Sequence, residues 1–481
     1  MADDNEGDAP LAWGGPRELT PFETLMWRAD GDPMMRSTMM ALEVLDTLPD
    51  WDRLVDAHDW AVRMAPRFRD RVVDRLGALG TPVWVQDPRM DLHYHLRRVR
   101  LPEPGGWSAL WTLAEQLAMT PFDRARPPWE GTLVEGLPDG RAAYLLKLHH
   151  VLTDGLGLTE LLSQIHSRQR AHSPRKPQPA ARVVAAPPLV EQVGRQLRND
   201  IGTLAPIARG GGTLLHNGIR QPRKFLSDAV RYLESSRRVL SPPGIRGLPL
   251  LAERGGSWRF VALRVEFADL RAAAKAAGGS LNDAFLAALL AGFRIYAEER
   301  GGPLMADATM PVSVPVSVRK DSDDTGGNHI APARLAAPVG MADPRARITR
   351  VGELMQTARS EPALESAEFV APALARLPAA LLVHIAGSTT AGNDLQASNV
   401  PGIREEVYVA GAKIEQIYPF APLPGCAAMI SMYTYDGTCF LGANLDAAAI
   451  KDTALFGRCL ARGFAEVLQG VDHAAAPMVL S

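Results

Sequence analysis

A segment rich in proline and basic residues, 173–188 (SPRKPQPAARVVAAPP), separates two long stretches that each alternate helical and strand-like patterns. Proline is unfavourable inside helices and central strands, so this composition is typical of an extended linker. The chain has 481 residues, which at about 100–200 residues per domain corresponds to two or three domains. We therefore predict a mobile acidic tail at 1–15, an α/β domain at 16–172, a basic linker with interrupted helices at 173–256 and a second α/β domain at 257–481.

The spacing of apolar residues predicts the elements of both domains. The first domain is predicted to contain helices at 51–64, 107–119 and 156–165 and strands at 39–45, 131–136 and 142–149. The second is predicted to contain helices at 280–299 and 344–361 and strands at 261–266, 310–318, 427–433 and 438–443. The helix at 280–299 has the clearest pattern, with Ser280 or Asn282 as its cap.

The composition, 46% hydrophobic and 22% charged, is that of a globular protein and excludes disordered, collagen-like and coiled-coil classes for most of the chain. The first ten residues are acidic and lack an apolar stretch, so no signal peptide is predicted. Three cysteines, Cys426, Cys439 and Cys459, are an odd number, and we expect buried packing residues rather than disulfides. A soluble cytoplasmic protein is the expectation.

The net charge of −2 conceals a strong asymmetry along the chain. Residues 164–246 contain fifteen Arg and Lys but four Asp and Glu, a net charge of +11, so the remaining residues carry −13. This basic part includes an amphipathic stretch at 225–240. Contact with an anionic membrane or lipid-droplet surface is one interpretation, and a solvated connection between domains is the other. No recognised nucleic-acid-binding module accompanies the charge, so no nucleic-acid partner is predicted.

The most informative motif follows the apolar strand at 142–149. Two adjacent histidines, His149 and His150, end this strand, and Asp154 and Gly155 follow in a tight turn. Side chains alternate across a strand, so the two imidazoles are expected to face in opposite directions, which disfavours joint binding of a metal. An imidazole at a strand end suits general-base catalysis because its ordinary pKa lies near neutrality. The alternative is a histidine pair that only packs in the core.

Asp154 is expected to hold the turn or the imidazole, and Gly155 to supply a backbone conformation that other residues cannot adopt. His93 and His95 lie on one face of a predicted strand, but no third ligand accompanies them, and no metal site is predicted. The sequence has no G-x-S-x-G motif, which disfavours a serine hydrolase, and no phosphate-binding loop or dinucleotide fingerprint.

The motif His-His-x-x-x-Asp-Gly is the signature of a superfamily of acyl-CoA-dependent transferases that includes chloramphenicol acetyltransferase and peptide-synthetase condensation domains. Within it, the chain resembles the bacterial wax ester synthase/diacylglycerol acyltransferase family from about residue 19 to 452. The resemblance rests on segments in collinear order: Leu19-Thr20-Pro21, 101–105 (LPEPG), 121–130 (PFDRARPPWE), 149–155, Asn282-Asp283, 311–319 (PVSVPVSVR), Gly327-Asn328, 398–402 (SNVPG), Tyr418-Pro419 and Tyr435-Asp436-Gly437. Phe22-Glu23 departs from the family's polar-Asp pair.

The resemblance implies two chloramphenicol-acetyltransferase-like α/β domains with mixed sheets, flanking helices and an active-site tunnel between them. In the family the second histidine is the base, which corresponds to His150. Asp154 corresponds to a structural residue that pairs with an arginine, for which Arg319 is the candidate, and Gly155 to the turn. His149 corresponds to a residue that packs or supports the base.

Three further positions carry over from the second half as substrate-binding residues, Asn282, Ser398 and Asn399. Asn282 either orients substrate or holds the helix start, and Asp283 is expected to be structural in the first turn. Small residues after Asn282, such as Ala284 and Ala288, either line an acyl channel or only pack the helix.

The implied reaction is transfer of a fatty acyl group from acyl-CoA to a hydroxyl of diacylglycerol or a long-chain alcohol, by direct attack and without an acyl-enzyme. Acyl-CoA is then a co-substrate, and no tightly bound cofactor is expected. Two alternatives remain: an acyltransferase of the same fold with a polyketide, sugar or peptide acceptor, and a non-catalytic relative that binds acyl-CoA or lipid. The lipid reaction would place the protein in the cytoplasm, or peripherally on the inner membrane face or on lipid droplets.

Overall fold

The computed structural model describes residues 10–11, 13–74, 81–172, 176, 178–179, 246–317, 330–359 and 392–480, with side chains described except at 316–317 and 330–332. The helices predicted in the linker, the amphipathic stretch at 225–240 and Arg319 lie outside these residues. The end of the predicted mobile tail lies inside them, and there the prediction is wrong. Trp13 is 8% exposed, stacks on Phe68 at 5.5 Å and donates its indole N–H to the Gly157 carbonyl.

The helices and strands follow one another in the first half as α1 (Pro21–Ala29), β1 (Thr38–Leu45), α2 (Trp51–Met64), β2 (Asp70–Val73), β3 (Val83–Gln86), α3 (Leu92–His95), β4 (Leu96–Arg100), α4 (Trp107–Met119), β5 (Trp129–Glu135), β6 (Ala142–His149) and α5 (Gly155–Ile165). In the second half they are β7 (Trp258–Glu266), α6 (Phe267–Ala276), α7 (Leu281–Gly301), β8 (Met310–Ser317), β9 (Ile330–Ala337), α8 (Pro344–Arg359), β10 (Leu395–Val400), β11 (Tyr408–Val409), β12 (Ala412–Phe420), β13 (Ala428–Tyr435), β14 (Thr438–Asp446), α9 (Thr453–Leu468) and β15 (Met478–Leu480).

The first sheet has the strand order β11-β12-β1-β6-β5-β4 and is mixed, because β4 and β5 run parallel and the other neighbours antiparallel. Its strand β12 comes from the second half of the chain and pairs with β1 from Met40 opposite Phe420 to Leu45 opposite Ile414. The sheet that carries the two histidines is therefore completed by residues more than 250 positions later in the sequence.

The second sheet has the order β15-β7-β14-β13-β10-β8-β9, with β10 parallel to both β8 and β13. Helices α7 and α9 pack closely against one another beside this sheet. A side chain at Gly463 would lie 2.4 Å from the Ala288 carbonyl, and one at Gly292 would lie 2.8 Å from Leu460, so both glycines are required by the close approach. Both sheets are flanked by helices, as the predicted α/β class requires.

Helix α7 confirms the strongest prediction of the sequence. Ser280 caps it, and Ser280 and Asp283 form a reciprocal capping box, so Asp283 is structural as expected. The cap assignment to Asn282 is wrong, because Asn282 already lies within the first turn. The three cysteines are free and buried, as predicted.

The strand predicted to carry His93 and His95 is also wrong. Both histidines lie in the one-turn helix α3, which Asp91 caps. His95 is fully buried, stacks on Trp129 at 4.6 Å and contacts the Trp129 carbonyl through Nδ1 at 2.7 Å. Among the residues with described positions, no group of three or more His, Cys, Asp or Glu side chains could hold a metal ion.

Candidate active site

The turn at 149–155 is fixed by backbone contacts to the residues before β1. The N–H of His150 donates to the Ser37 carbonyl at 2.8 Å, and Thr38 lies opposite His149 in the sheet. The middle of the turn is buried, because Val151 is 1% exposed and Thr153 is 0% exposed. The histidines thus stand at the end of a central strand with a fixed backbone, which is the placement that precise chemistry requires.

His149 is fully buried between aromatic rings, with ring centroids 5.2 Å from Trp27 and 6.0 Å from Phe122. Its Nδ1 accepts the N–H of Val151 at 3.1 Å, so the proton of the neutral ring is on Nε2. That Nε2 lies 3.4 Å from Oδ1 of Asp30. Both nitrogens of His149 therefore face protein groups, whereas His150 is half-buried.

Asp30 is the residue of this site that sequence analysis missed. Its carboxylate is 8% exposed and accepts the N–H of Ser37 at 2.8 Å, besides facing His149. Burial raises the pKa of the Asp30 carboxyl, but the contacts with His149 and the Ser37 N–H and the charge of Arg124 outweigh burial and hold the pKa below its usual value. In the sequence Asp30 sits in Asp-Gly-Asp-Pro, which indicates only a turn.

Helix α1 explains how Asp30 reaches His149. Thr20 and Glu23 form a capping box at the start of this helix, with Thr20 N–H donating to Glu23 at 2.8 Å, and Asp30 is its C-terminal cap. The departure from the family motif at Phe22-Glu23 therefore retains a carboxylate that caps the helix. Trp27 in this helix and Asp30 at its end therefore both contact His149.

Asp154 caps helix α5, with Oδ1 accepting the N–H of Gly157 at 2.8 Å, and is 3% exposed. The expectation of an unusual backbone at Gly155 is wrong, because Gly155 is not among the residues with positive φ. Glycine is needed there for another reason: a Cβ at this position would lie 2.9 Å from Val400. This contact joins the turn to strand β10 of the second half.

Ser398 and Asn399 precede Val400 on β10, and both are half-buried. Tyr433, the partner of Val400 on β13, is buried, and its hydroxyl lies near Thr159 of α5. The structure thus brings the segment of Ser398 and Asn399 to the helix that follows the histidines. Asn282 is also half-buried, and among the described residues it makes no hydrogen bond to the turn at 149–155.

Comparison with known proteins decides the family. The model of the wax ester synthase/diacylglycerol acyltransferase catalytic domain matches residues 18–285, and the model of the family's C-terminal domain matches residues 326–467. The chain belongs to this acyltransferase family. The catalytic-domain match runs through the predicted domain boundary at 256 and ends just after Asn282 and Asp283.

Similar proteins cover nearly the whole acyltransferase. A proposed diacylglycerol O-acyltransferase of Mycobacterium tuberculosis (strain ATCC 25618 / H37Rv) is 39% identical over 466 residues, which are 96% of this chain and 94% of that protein. Another proposed diacylglycerol O-acyltransferase of the same strain is 29% identical over 462 residues, 91% of this chain and 94% of that protein.

Solved structures share the fold of the acyltransferase. The wax ester synthase/diacylglycerol acyltransferase from Marinobacter aquaeolei VT8 has a TM-score of 0.62 at 22% identity and covers 94% of this chain and 99% of its own. The first condensation domain of the CDA synthetase has a TM-score of 0.56 at 18% identity and covers 97% and 100%. The predicted family and fold class are confirmed.

Proposed function

We propose that this acyltransferase moves a fatty acyl group from acyl-CoA to the hydroxyl of diacylglycerol or a long-chain alcohol, with His150 as general base. His150 takes the proton of the acceptor hydroxyl while its oxygen attacks the thioester carbonyl. The tetrahedral intermediate then collapses, the C–S bond breaks, and coenzyme A leaves as a thiolate. The thiolate takes up a proton and His150 releases the one it accepted, directly or through solvent, which restores the neutral base. The ester forms directly, without an acyl-enzyme.

The observation that carries this proposal is the difference between the two histidines. His149 has one ring nitrogen held by the Val151 N–H and the other facing Asp30, so it cannot accept a proton from a substrate without breaking these contacts. His150 is half-buried, and the bond of its N–H to the Ser37 carbonyl holds it at the end of the strand, so we assign the proton transfer to its imidazole. General-base catalysis contributes roughly 10²–10⁴-fold, so positioning and stabilisation of the oxyanion supply the rest.

We place the substrate tunnel where α5 meets β10. Gly155 and Val400 are in contact there, and Ser398 and Asn399 lie within two residues of Val400. These two polar side chains are the proposed substrate-binding residues of the second half of the chain. Asp154 acts through the backbone, because its carboxylate caps the helix that begins at the turn. Asn282 is assigned to substrate orientation, since Ser280 already caps α7.

The test is an acceptor panel with purified full-length protein. Palmitoyl-CoA is incubated with diolein, hexadecanol or a water-soluble alcohol, with release of coenzyme A thiol and thin-layer chromatography of the lipids as readouts. We expect release only with the lipid acceptors, and at least a hundredfold loss in His150→Ala. His93→Ala, which replaces an exposed histidine away from the turn, is the matched control. Product from the water-soluble acceptor alone would exclude the lipid reaction.

We also propose that the basic segment 164–246, with its net charge of +11, brings the enzyme to an anionic lipid surface. Each basic residue near such a surface contributes about 1 kcal/mol. No single helix in the described ranges is both long and apolar enough to cross a membrane, although α6 and α7, bent by 95°, meet that criterion when taken together. Flotation with phosphatidylglycerol-containing and with purely zwitterionic liposomes tests the proposal, and equal binding to both would refute it.

A further inference from the structure

A cavity of about 530 Å³ lies between the first sheet and the helices α2 and α5. Its walls are mainly apolar and include Trp60, Ala61, Phe68, Trp129, Leu146 and Leu162. The volume is within the range of about 300–1,000 Å³ that small-molecule sites occupy. The cavity is therefore large enough for a ligand and not only for isolated waters.

This cavity is separate from the surroundings of His149. On strand β6, Tyr144 and Leu146 face the cavity, whereas Lys147 lies over Phe122, which also contacts His149. Alternating side chains of a strand face opposite sides of the sheet, so the cavity and His149 lie on different faces. The separation of the cavity from His150 rests on the lining residues. None of residues 149–155 lines the cavity.

One wall of the cavity carries a buried polar cluster, which consists of Glu43, His58, Tyr144 and His166. Glu43 is fully buried and lies opposite Tyr144 in the sheet, and Nε2 of His166 is 3.8 Å from its Oε1. Neither carboxyl oxygen of Glu43 has a hydrogen-bond partner among the described residues. A buried polar group without a hydrogen-bond partner lowers the stability of the folded protein by about 1–3 kcal/mol.

Tyr144 cannot supply the missing hydrogen bond to Glu43. Nδ1 of His58 lies 2.8 Å from the Leu54 carbonyl, which accepts only, so Nδ1 carries the proton. Nε2 of His58 is then the acceptor for the Tyr144 hydroxyl at 2.6 Å, and the only proton of that hydroxyl is used. Glu43 remains available to a molecule inside the cavity.

The wall of the cavity around Glu43 and His166 is uncharged near neutral pH. Burial raises the pKa of the Glu43 carboxyl to about 8, and burial together with nearby cations lowers the pKa of His166 to about 3. The charged lining side chains lie away from Glu43: Arg53 donates to the Arg170 carbonyl, Arg63 contacts Asp59 at 3.1 Å, and Lys176 lies over Trp60. The other acidic lining residues, Asp50, Asp52 and Asp56, are exposed to solvent. A ligand carboxylate placed at Glu43 would thus be buried without a cation, and an ammonium placed there would have to ionise Glu43.

We propose that this cavity is a second ligand site, which binds an uncharged single-chain alcohol with its hydroxyl at Glu43 and His166 and its chain against Trp60, Phe68 and Trp129. A protonated carboxyl both donates and accepts, so it pairs with a hydroxyl through two complementary hydrogen bonds. The choice of a lipid alcohol rests on the proposed function, but binding at this site requires neither His150 nor acyl-CoA. The two proposals are therefore tested by different measurements.

Quenching of tryptophan fluorescence by brominated ligands tests the site, because Trp60 and Trp129 line the cavity. The probes are 10-bromodecan-1-ol, 10-bromodecanoic acid and 10-bromodecylamine at pH 7 with the full-length chain. We expect the alcohol to quench in a saturable way and the acid and amine to bind at least tenfold more weakly. Trp60→Phe should reduce the quenched fraction, whereas Trp107→Phe, outside the cavity, should not.

Variants then locate the hydroxyl. Glu43→Leu should weaken alcohol binding at least fivefold, while Glu43→Gln, which still donates and accepts, should bind within about threefold of the wild type. Ala61→Leu fills the cavity from α2 and should reduce binding, and Ala57→Leu is a second filling variant in case the first fails to fold. His150→Ala should keep full quenching, although it loses transfer.

Absence of quenching in the wild type, equal binding of the acid or the amine, or unchanged binding in Glu43→Leu would each overturn the proposal. Transfer activity in a protein that shows no quenching would overturn this site and leave the proposed reaction intact. Quenching in a protein without transfer activity would support this site and overturn the proposed reaction.

Discussion

Nε2 of His149 lies 3.4 Å from Oδ1 of Asp30, so the first histidine of the motif faces a buried carboxylate and not a substrate. The same Oδ1 accepts the N–H of Ser37, whose carbonyl in turn accepts the N–H of His150. One carboxylate at the end of α1 thus fixes the side chain of one histidine and, through Ser37, the backbone of the other. Asp30 is a positioning residue in the proposed reaction.

The first prediction concerns this carboxylate. Asp30→Asn keeps the size of the side chain but removes the charge that faces His149, and we expect a lower kcat with little change in KM, together with a stability loss of about 1–3 kcal/mol. Steady-state kinetics and thermal unfolding measure the two effects. Asp32→Asn is the matched control, because the Asp32 carboxylate accepts the Met34 N–H of its own turn and, among the residues with described positions, has no contact with His149. Equal kcat for Asp30→Asn and wild type would exclude the positioning role.

The second prediction separates the two histidines. His150→Ala should abolish acyl-CoA-dependent thiol release in a protein that remains folded, because the side chain is proposed to carry out the proton transfer. His149→Ala should retain more activity but unfold more easily, since the buried Asp30 carboxylate loses the imidazole and keeps the Ser37 N–H. If His149→Ala lowers kcat more than His150→Ala does, at an equal fraction of folded protein, His149 and not His150 is the base.

The third prediction concerns the contact between the two halves. Gly155→Ala would place a methyl group 2.9 Å from Val400, and we expect a loss of about 1–3 kcal/mol in the free energy of unfolding. Val400→Ala should relieve the clash, so the double variant should be more stable than the sum of the single effects predicts. Chemical denaturation of the four proteins measures this coupling. Additive effects would show that Gly155 and Val400 do not meet in solution.

The fourth prediction is a pH dependence of stability caused by Glu43. The unfolded carboxyl ionises near its usual pKa of 4.5, whereas the folded one ionises at about 8. Between these values the unfolded state binds fewer protons, so stability falls as the pH rises, by up to about 1.4 kcal/mol per pH unit, and is constant above pH 8.

Glu43→Gln cannot titrate and should therefore gain stability relative to the wild type as the pH rises from 4.5 to 8. His58, Tyr144 and His166, which face Glu43 in the cavity, are common to both proteins, so their own titration cancels in the comparison. Unfolding free energies at pH 5, 6.5 and 8 are the measurement. A constant difference across this range would contradict burial of the carboxyl.

The sequence by itself determined the local features of this protein. The apolar strand that ends in His149, the helix that begins after the turn at Asp154 and the long helix after Ser280 were predicted, because they depend on apolar spacing and on side chains close in the sequence. The motif and its collinear companions also indicated the family, since their order does not depend on any contact in space.

The tertiary structure decided what depends on distant contacts. Nothing near β12 in the sequence indicates that it completes the first sheet, because strand pairing is set by packing across the whole fold. The same holds for the glycine at 155, which is required by Val400 and not by its own backbone, and for Asp30, whose partner is more than 100 residues away. The cavity around Glu43 is likewise formed where the first sheet meets α2 and α5. Its presence could not be predicted from the sequence, because a buried Glu looks the same in the sequence as an exposed one.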